Sequence, residues 1–385
     1  MTRRWFEGFT GVPLMTGGFL ALALLQEPAP AVSWLHIPGW GVSMTVGALA
    51  ISLSLSVITN LGLTARHLIQ LLSVVLGLSG VSELVHAQNI QGVAGAGFWF
   101  LVAALAFAIW DAMRQFSIAT PSEPWRGVLY QLLVPGLFGA WFLMLWELIT
   151  VGFGVPRVLL PPPSLVGDAI ASSVPVLAAD FRQTVVRAVV PGFVIGNLAG
   201  FAIALIADRV PFLRRGLLPV GNLVSAIPIV GIAPIMVMWF GFDWQSKAAV
   251  VVIMTFFPML VNTIAGLGSS GAMELDLMRS VGANHWQAFA RVRLPNALPY
   301  IFNALKINSA LALIGAIVAE FFGTPIVGIG FRISTEAGRM NMEMVWAAIA
   351  LAAVSGSLFY GLLAVAERRA TFWHPSFRKL SGKRL

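Results

Sequence analysis

Long apolar runs, separated by short polar segments, dominate the chain. Ten of these runs have close to the roughly 20 residues that a helix needs to cross a bilayer. They lie at 8–26, 41–62, 68–87, 94–111, 127–152, 183–207, 216–240, 246–268, 300–322 and 343–366. Several contain Pro135, Gly192, Pro228 or Pro234, which membrane bundles tolerate where neighbouring helices satisfy the freed backbone groups. The pattern predicts an all-α polytopic membrane protein with about ten transmembrane helices.

The composition agrees with this pattern. The chain is 58% hydrophobic and 10% charged, with a mean hydropathy of +0.85, whereas soluble domains average about 25% charged residues. The first run follows Arg3 and Arg4 but lacks a small-x-small cleavage site, so we expect a mature helix and not a signal peptide. The absence of cysteine excludes disulfides, thiolate metal sites and cysteine nucleophiles.

The basic residues predict the orientation. With a cytoplasmic amino terminus, six of the 24 Lys and Arg residues fall outside: Arg157, Arg182, Arg187, Lys247, Arg332 and Arg339. The others fall on the cytoplasmic side, as the positive-inside rule requires. Both termini are therefore expected in the cytoplasm. The net charge of +8 follows from this topology and gives no reason to expect nucleic-acid binding.

The segment 276–295 lies in a basic loop between two apolar runs. Its residues predict two short helices, at 275–281 and 284–292, with Gly282 at positive φ between them. Pro295 is expected to end the second helix because it lacks an N–H group. Leu275, Met278 and Val281 share one side of the first helix, a pattern typical of a helix that lies in a groove on another protein. The alternative is an amphipathic loop on the membrane surface.

This loop resembles the segment by which permeases of ATP-binding-cassette (ABC) importers dock onto their ATPase. The usual form is Glu-Ala-Ala, three residues, Gly, nine residues, a β-branched apolar residue, any residue, and Leu-Pro. Here Asp276, Leu277 and Met278 replace Glu-Ala-Ala, which implies a differently shaped socket. The resemblance assigns docking to these residues: Asp276, Leu277, Met278, Gly282, Ala283, Val292, Leu294 and Pro295.

Residues 125–375 resemble the permeases of the nitrate, sulfonate and taurine import family nearly end to end. The phrases that carry the resemblance are Trp146-Glu147 with LLPPPSLV (159–166), RAVVPGFVIGNLAGFAIAL (187–205), AIPIVGIAPIMVMWFGF (226–242), FFPMLVNTIAGL (256–267) and VAEFFGTPIVGIG (318–330). They imply a six-helix type I ABC importer permease domain at 121–375, with its docking loop at 270–298. Residues 1–120 form an accessory region of about four helices, and 376–385 a basic cytoplasmic tail.

The resemblance also implies the partners. They are an ABC ATPase subunit, a periplasmic solute-binding protein, a second permease copy in a homodimer, and membrane lipid, in a bacterial inner membrane. No G-x-x-x-x-G-K-[ST] segment is present, so ATP and magnesium are expected on the ATPase and no cofactor or metal on this chain. The chain is then a non-catalytic subunit. The transported solute would be a sulfonate or taurine, nitrate or a related small anion, or a vitamin precursor. An ion-coupled secondary transporter or a membrane scaffold is the alternative.

Polar residues inside the apolar runs are candidates for the translocation path. Asn303, Lys306, Asn308 and Glu320 lie on or near one run, and we expect them to face the bundle interior. Alternatively, the Lys306 side chain extends to the lipid headgroups on the cytoplasmic side, and Glu320 forms a structural ion pair with Arg187 or Lys247. Glu147 is expected to orient neighbouring helices. Glu83 and His86 share a helical face and indicate either a metal or proton site or a polar helix end.

Overall fold

A computed structural model describes residues 12–30, 32–37, 39–57, 63–119, 124–225, 227–323 and 326–373. The predicted segments at Arg3 and Arg4, at 120–123 and at the basic tail lie outside these ranges. Among the described residues, seven helices are long and apolar enough to cross a membrane, and three shorter apolar helices accompany them. The all-α polytopic class is confirmed, whereas the count of ten transmembrane helices is not.

The chain divides into two compact units, residues 1–167 and 168–385. The first unit contains α1 (Val12–Leu25), α2 (Gly41–Val57), α3 (Leu63–His86), α4 (Ala96–Ile118), α5 (Pro124–Gly152) and the start of α6 (Pro163–Ser172). One hydrophobic cluster joins its helices, with Leu49, Leu84, Phe98 and Leu105 buried beside Leu148 of α5. The domain boundary predicted near residue 121 stays a prediction, because it marks where the resemblance begins and not how the helices pack.

The second unit contains the remaining helices. They are α7 (Val174–Arg209), α8 (Pro211–Ser225), α9 (Ile229–Phe240), α10 (Trp244–Leu267), α11 (Ala272–Ser280), α12 (His285–Phe321), α13 (Ile329–Gly338) and α14 (Met342–Ala370). Helix α10 lies at the centre of this unit and packs against α7, α8, α9 and α12. The core is therefore built around one helix whose residues from Ser246 to Ile264 are buried or half-buried.

Helix α7 approaches α10 closely because small residues line the contact. A Cβ at Gly196 would lie 2.8 Å from the carbonyl oxygen of Val252, and one at Gly192 would lie 2.7 Å from that of Ala248. Such close approach is typical of helix pairs in membranes. Lipid is as apolar as the helix surface, so helix association depends on close van der Waals packing instead of on the hydrophobic effect. Nearby, the Asn308 amide donates to Asn197 Oδ1 (2.6 Å) and to the Thr255 carbonyl oxygen (2.8 Å), which ties α12 to both helices.

The prediction of one transmembrane helix at 216–240 is wrong, because the structure has two shorter helices there, α8 and α9. Pro228 has an extended backbone (φ −61°, ψ 125°) and precedes the first residue of α9. A proline disfavours helical conformation in the residue before it, so the chain leaves the helix there. By contrast Pro135 and Pro234 remain inside helices, as expected.

Candidate functional site

The turn at Gly282 ends α11 in a hydrogen-bonded cap. Gly282 has a φ of +71°. The N–H of Gly282 donates to the Arg279 carbonyl oxygen and that of Ala283 to the Met278 carbonyl oxygen, each at 3.0 Å. This is the Schellman pattern, in which a left-handed residue satisfies the last helical carbonyls. The positive φ predicted for Gly282 is confirmed.

Asn284 begins the next helix immediately after this turn. Its Oδ1 accepts from the Gln287 N–H (2.8 Å), and Gln287 Oε1 accepts from the Asn284 N–H (2.9 Å), so the two residues form a capping box. The direction of α12 relative to α11 is thus fixed by hydrogen bonds local to the loop.

The prediction that Pro295 ends the second helix is wrong. The helix continues from His285 to Phe321, through a π-helical stretch at Phe289–Arg293. Within it the Leu294 N–H donates to the carbonyl oxygen of Phe289, five residues earlier. Pro295 has no N–H group to donate, and the wider π turn before it accommodates the proline ring, so the helix continues without a break.

The exposed apolar residues of α11 identify its free face. Met273, Leu277 and Val281 are 85%, 64% and 70% exposed and follow one another at intervals of four residues, which places them on one side of a helix. Leu275 and Met278 are half-buried instead. The exposed stripe therefore shares only Val281 with the one predicted from the sequence, and the docking role of either stripe stays a prediction. The remaining docking candidates divide similarly: Asp276 is exposed and pairs with Arg279 at 3.0 Å, while Ala283, Val292, Leu294 and Pro295 are half-buried.

Arg293 anchors the loop to the helices of the second unit. Its guanidinium binds both oxygens of Asp208, at 2.8 Å each, and donates to the Leu267 carbonyl oxygen at 3.1 Å. A two-pronged contact of this kind fixes orientation as well as distance. It joins the start of α12 to the ends of α7 and α10. In addition, Asn296 donates to Glu274 at 2.7 Å, and Arg209 lies over the Trp286 ring at 4.2 Å.

Sequence reasoning missed this anchor. Arg293 counted only as one basic residue among many, and Asp208 was not singled out. The available signal was a single carboxylate at the end of an apolar run, since an acidic residue there needs a partner. The partner itself is 85 residues away along the chain and could not be read from spacing.

The path candidates occupy different environments on α12. Asn303 is exposed and Asn308 is fully buried in the contact with α7 and α10. Lys306 pairs with Glu367 of α14 at 2.7 Å, a contact that neither expectation for it included. Glu320 is buried, and its Oε1 accepts from the Thr184 hydroxyl at 2.7 Å.

Glu320 belongs to a group of side chains that caps the amino terminus of α13. The N–H groups of Gly328, Ile329 and Gly330 donate to Asp180 Oδ1, Thr184 Oγ1 and Glu320 Oε2, respectively, at 2.7 to 2.8 Å. The first N–H groups of a helix have no partner within it, and negative charge is favourable there. Two helices of this unit, α7 through Asp180 and Thr184 and α12 through Glu320, therefore hold the amino terminus of α13.

Charged partners complete this region. Lys247 is buried and donates to the carbonyl oxygens of Phe242 and Gly323. Arg332 binds Asp180 at 2.8 Å, and this hydrogen bond raises the pKa of the guanidinium. Before α10, a hydrogen bond from Gln183 lowers the pKa of Asp243. The pairing expected between Glu320 and Arg187 or Lys247 is thus replaced by hydrogen bonds, with Lys247 acting as a nearby charge.

The described residues form a bundle of apolar helices with a capped, anchored helix-turn-helix loop between two membrane-length helices, which is the architecture of a polytopic membrane protein. Comparison with known proteins identifies the family. A sequence model described as binding-protein-dependent transport system inner membrane component matches residues 192–372. The chain belongs to this family of ABC importer permeases, which work with an ATPase and a periplasmic binding protein.

Three relatives illustrate its range. The riboflavin transport system permease protein RibX of Chloroflexus aurantiacus is 30% identical over 238 residues, which are 61% of this chain and 87% of that protein. The formylaminopyrimidine transport permease protein ThiX of Halalkalibacterium halodurans is 30% identical over 244 residues, 63% of this chain and 97% of that protein. The putative aliphatic sulfonates transport permease protein SsuC of Bacillus subtilis is 28% identical over 262 residues, which are 67% of this chain and 92% of that protein.

Proposed function

We propose that this chain couples ATP hydrolysis on a partner to solute passage through the loop 270–298, and that α11 is the element which enters the ATPase. The observation that carries the proposal is the combination of an exposed apolar stripe on α11 with a turn and an anchor that hold it rigidly. A helix-in-groove contact uses such a stripe. The Arg293–Asp208 contact then gives force on α11 a direct route to α7, α10 and α12.

The chain itself supplies no nucleotide site in this proposal. Closure of the ATPases on ATP draws two docking loops together, and their release on hydrolysis resets them. The loop and both termini are cytoplasmic, as the distribution of basic residues indicates. ATP and magnesium stay on the ATPase, and the chain acts as a non-catalytic subunit.

A second copy of the chain is expected to complete the path. One side of α12 is exposed along its length and carries Tyr300, Asn303, Ile307, Ile314 and Phe321. An asparagine on a lipid-facing surface is unfavourable, so this side is better suited to a path shared by two copies than to lipid. The exposure of Asn303 on this side makes it the best-supported candidate for the path. Lys306, Asn308 and Glu320 instead bind side chains of neighbouring helices.

The solute belongs to the range that the relatives cover: a sulfonate, a small inorganic anion or a vitamin precursor. Three of the outer basic residues give little reason to prefer an anion, because each has a partner within the chain. Arg332 and Arg339 bind Asp180 and Glu336, and Arg187 donates to Gln183. Selection is therefore expected to rest largely on the binding protein.

Reconstitution tests the proposal. The purified chain alone should hydrolyse no ATP, and its complex with the ATPase in liposomes should hydrolyse ATP faster when the loaded binding protein is added outside. The binding protein is first screened by calorimetry against sulfonates, nitrate, bicarbonate, riboflavin and pyrimidine precursors. Hydrolysis by the lone chain, or hydrolysis by the complex that ignores the loaded binding protein, would contradict the proposal.

A further inference from the structure

A buried carboxylate in the first unit caps the amino terminus of α6. Glu147 is 6% exposed. Its Oε2 accepts from the Ser164 N–H at 2.9 Å, and its Oε1 accepts from the Ser164 hydroxyl at 2.7 Å. Ser164 is the second residue of α6, so this carboxylate satisfies a helix donor that lacks an internal partner.

His86 supplies a third contact to the same carboxylate. Its Nε2 lies 3.1 Å from Glu147 Oε1, and its Nδ1 lies 2.8 Å from the Ser82 carbonyl oxygen. Both ring nitrogens thus lie within hydrogen-bonding distance of oxygen atoms, so the ring is held between the backbone of α3 and the Glu147 carboxylate.

Further contacts hold the same end of α5 to the helices before it. The Gly92 N–H donates to the Val151 carbonyl oxygen at 3.0 Å, and the Ala94 N–H to that of Gly152 at 3.2 Å. The Trp99 ring stacks on Phe153 with centroids 4.5 Å apart. Backbone hydrogen bonds and ring stacking therefore hold the carboxyl end of α5, which precedes α6, against the amino-terminal region.

We propose that helices α1 to α4 are a positioning module, and that His86 is the positioning residue through which they hold Glu147 on the end of α6. This inference rests on the proposed function, since by that topology α6 lies outside the membrane, on the side where the binding protein delivers solute. Loss of His86 releases one contact to Glu147 and lets the start of α6 move. Productive docking of the binding protein becomes weaker, while the cytoplasmic loop is untouched.

The test compares variants in the reconstituted complex with its ATPase. His86→Ala should raise the concentration of loaded binding protein that half-maximally stimulates ATP hydrolysis by about tenfold, the change expected for one hydrogen bond to a charged group. The maximal rate and ATPase co-purification should remain as in the wild type. His86→Gln keeps an N–H donor and should recover part of the loss. Gln88→Ala, at an exposed position two residues away, is the matched control.

Ser164→Ala provides a second route to the same result if His86→Ala is poorly produced. It removes the hydroxyl donor to Glu147 and keeps the N–H, so a smaller shift in the same direction is expected. Unchanged half-maximal concentrations in both variants would overturn the inference. So would an equal effect of His86→Ala and His86→Gln, or a fall in maximal rate alone. Failure of the proposed function itself is distinguishable, because the wild-type complex would then show no stimulation by the binding protein.

Discussion

At the scale of single residues, the features that could be predicted are those fixed by local geometry. Gly282 was predictable because the turn between two short helices demands a positive φ at one residue, and glycine adopts it at least cost. Arg293 was not, because its role depends on Asp208 and on the Leu267 carbonyl oxygen, which only the folded chain brings near. Lys306 escaped prediction for the same reason, since its partner Glu367 lies on α14.

Gly282→Val is expected to damage coupling more than folding. A Cβ at this position meets no other atom within 4 Å, so the cost is conformational, roughly 1–2 kcal/mol for a side chain held in the left-handed region. Solute uptake should fall sharply while the level of the subunit in membranes stays normal. The measurements are uptake and ATPase co-purification.

Gly282→Asn is the matched control. Asparagine tolerates the left-handed conformation and serves as a helix cap in place of glycine, so this variant should retain most uptake. Near-normal uptake by Gly282→Val would mean that the turn does not transmit force. Equal loss in both variants would mean that the side chain, and not the backbone conformation, is at fault.

At the scale of elements, apolar periodicity located the helices well and their interruptions poorly. The break between α8 and α9 and the continuity of α12 through Pro295 both involve proline in an apolar run, yet they have opposite outcomes. At Pro295 the backbone widens into a π turn, whereas Pro135 and Pro234 are accommodated within α-helix, so the proline alone does not decide the outcome. Around the π turn, Phe289 and Leu294 pack against a hydrophobic cluster that includes Leu267 and Ala297, contacts that the apolar pattern along the chain does not reveal.

Gly196→Leu tests the close packing of α7 on α10. The added side chain would push against backbone atoms of Val252, at 2.8 and 3.0 Å from the Cβ, and overpacking of this kind costs about 1–3 kcal/mol. The protein should reach the membrane at a reduced level and unfold at a lower temperature. Gly361→Leu, on α14 with no atom within 4 Å of its Cβ, is the control and should behave as the wild type. Similar stability of the two variants would contradict this packing.

At the scale of the whole molecule, the resemblance located the permease region but not the packing of its first helix. Helix α5 lies within the resembling segment, yet it shares a hydrophobic cluster with α3 and α4 of the amino-terminal region. Neither His67, which lies 2.9 Å from the Tyr130 hydroxyl, nor His86 suggested this. The spacing of Glu83 and His86 drew attention to one helix face, but the carboxylate that His86 contacts is on another helix.

A chain that begins at residue 121 tests the role of the amino-terminal helices as a whole. Removing an even number of spans preserves orientation, so the shortened chain should insert and bind the ATPase. It should need more binding protein for half-maximal stimulation than the full chain does, as His86→Ala should. Inverted insertion, or loss of the ATPase, would show that these helices are required for assembly and do more than position α5 and α6.

The most direct test of the central claim is site-specific cross-linking of α11 to the ATPase. The chain has no cysteine, so a single Leu277→Cys can be labelled with a benzophenone maleimide and photolysed in the assembled complex. Leu35→Cys, in the short turn before α2 where Leu35 is 95% exposed, is the control. The account predicts an ATPase adduct from Leu277→Cys and none from Leu35→Cys. An intact, active complex that gives no adduct at Leu277→Cys, or one that gives it at Leu35→Cys, would contradict the account.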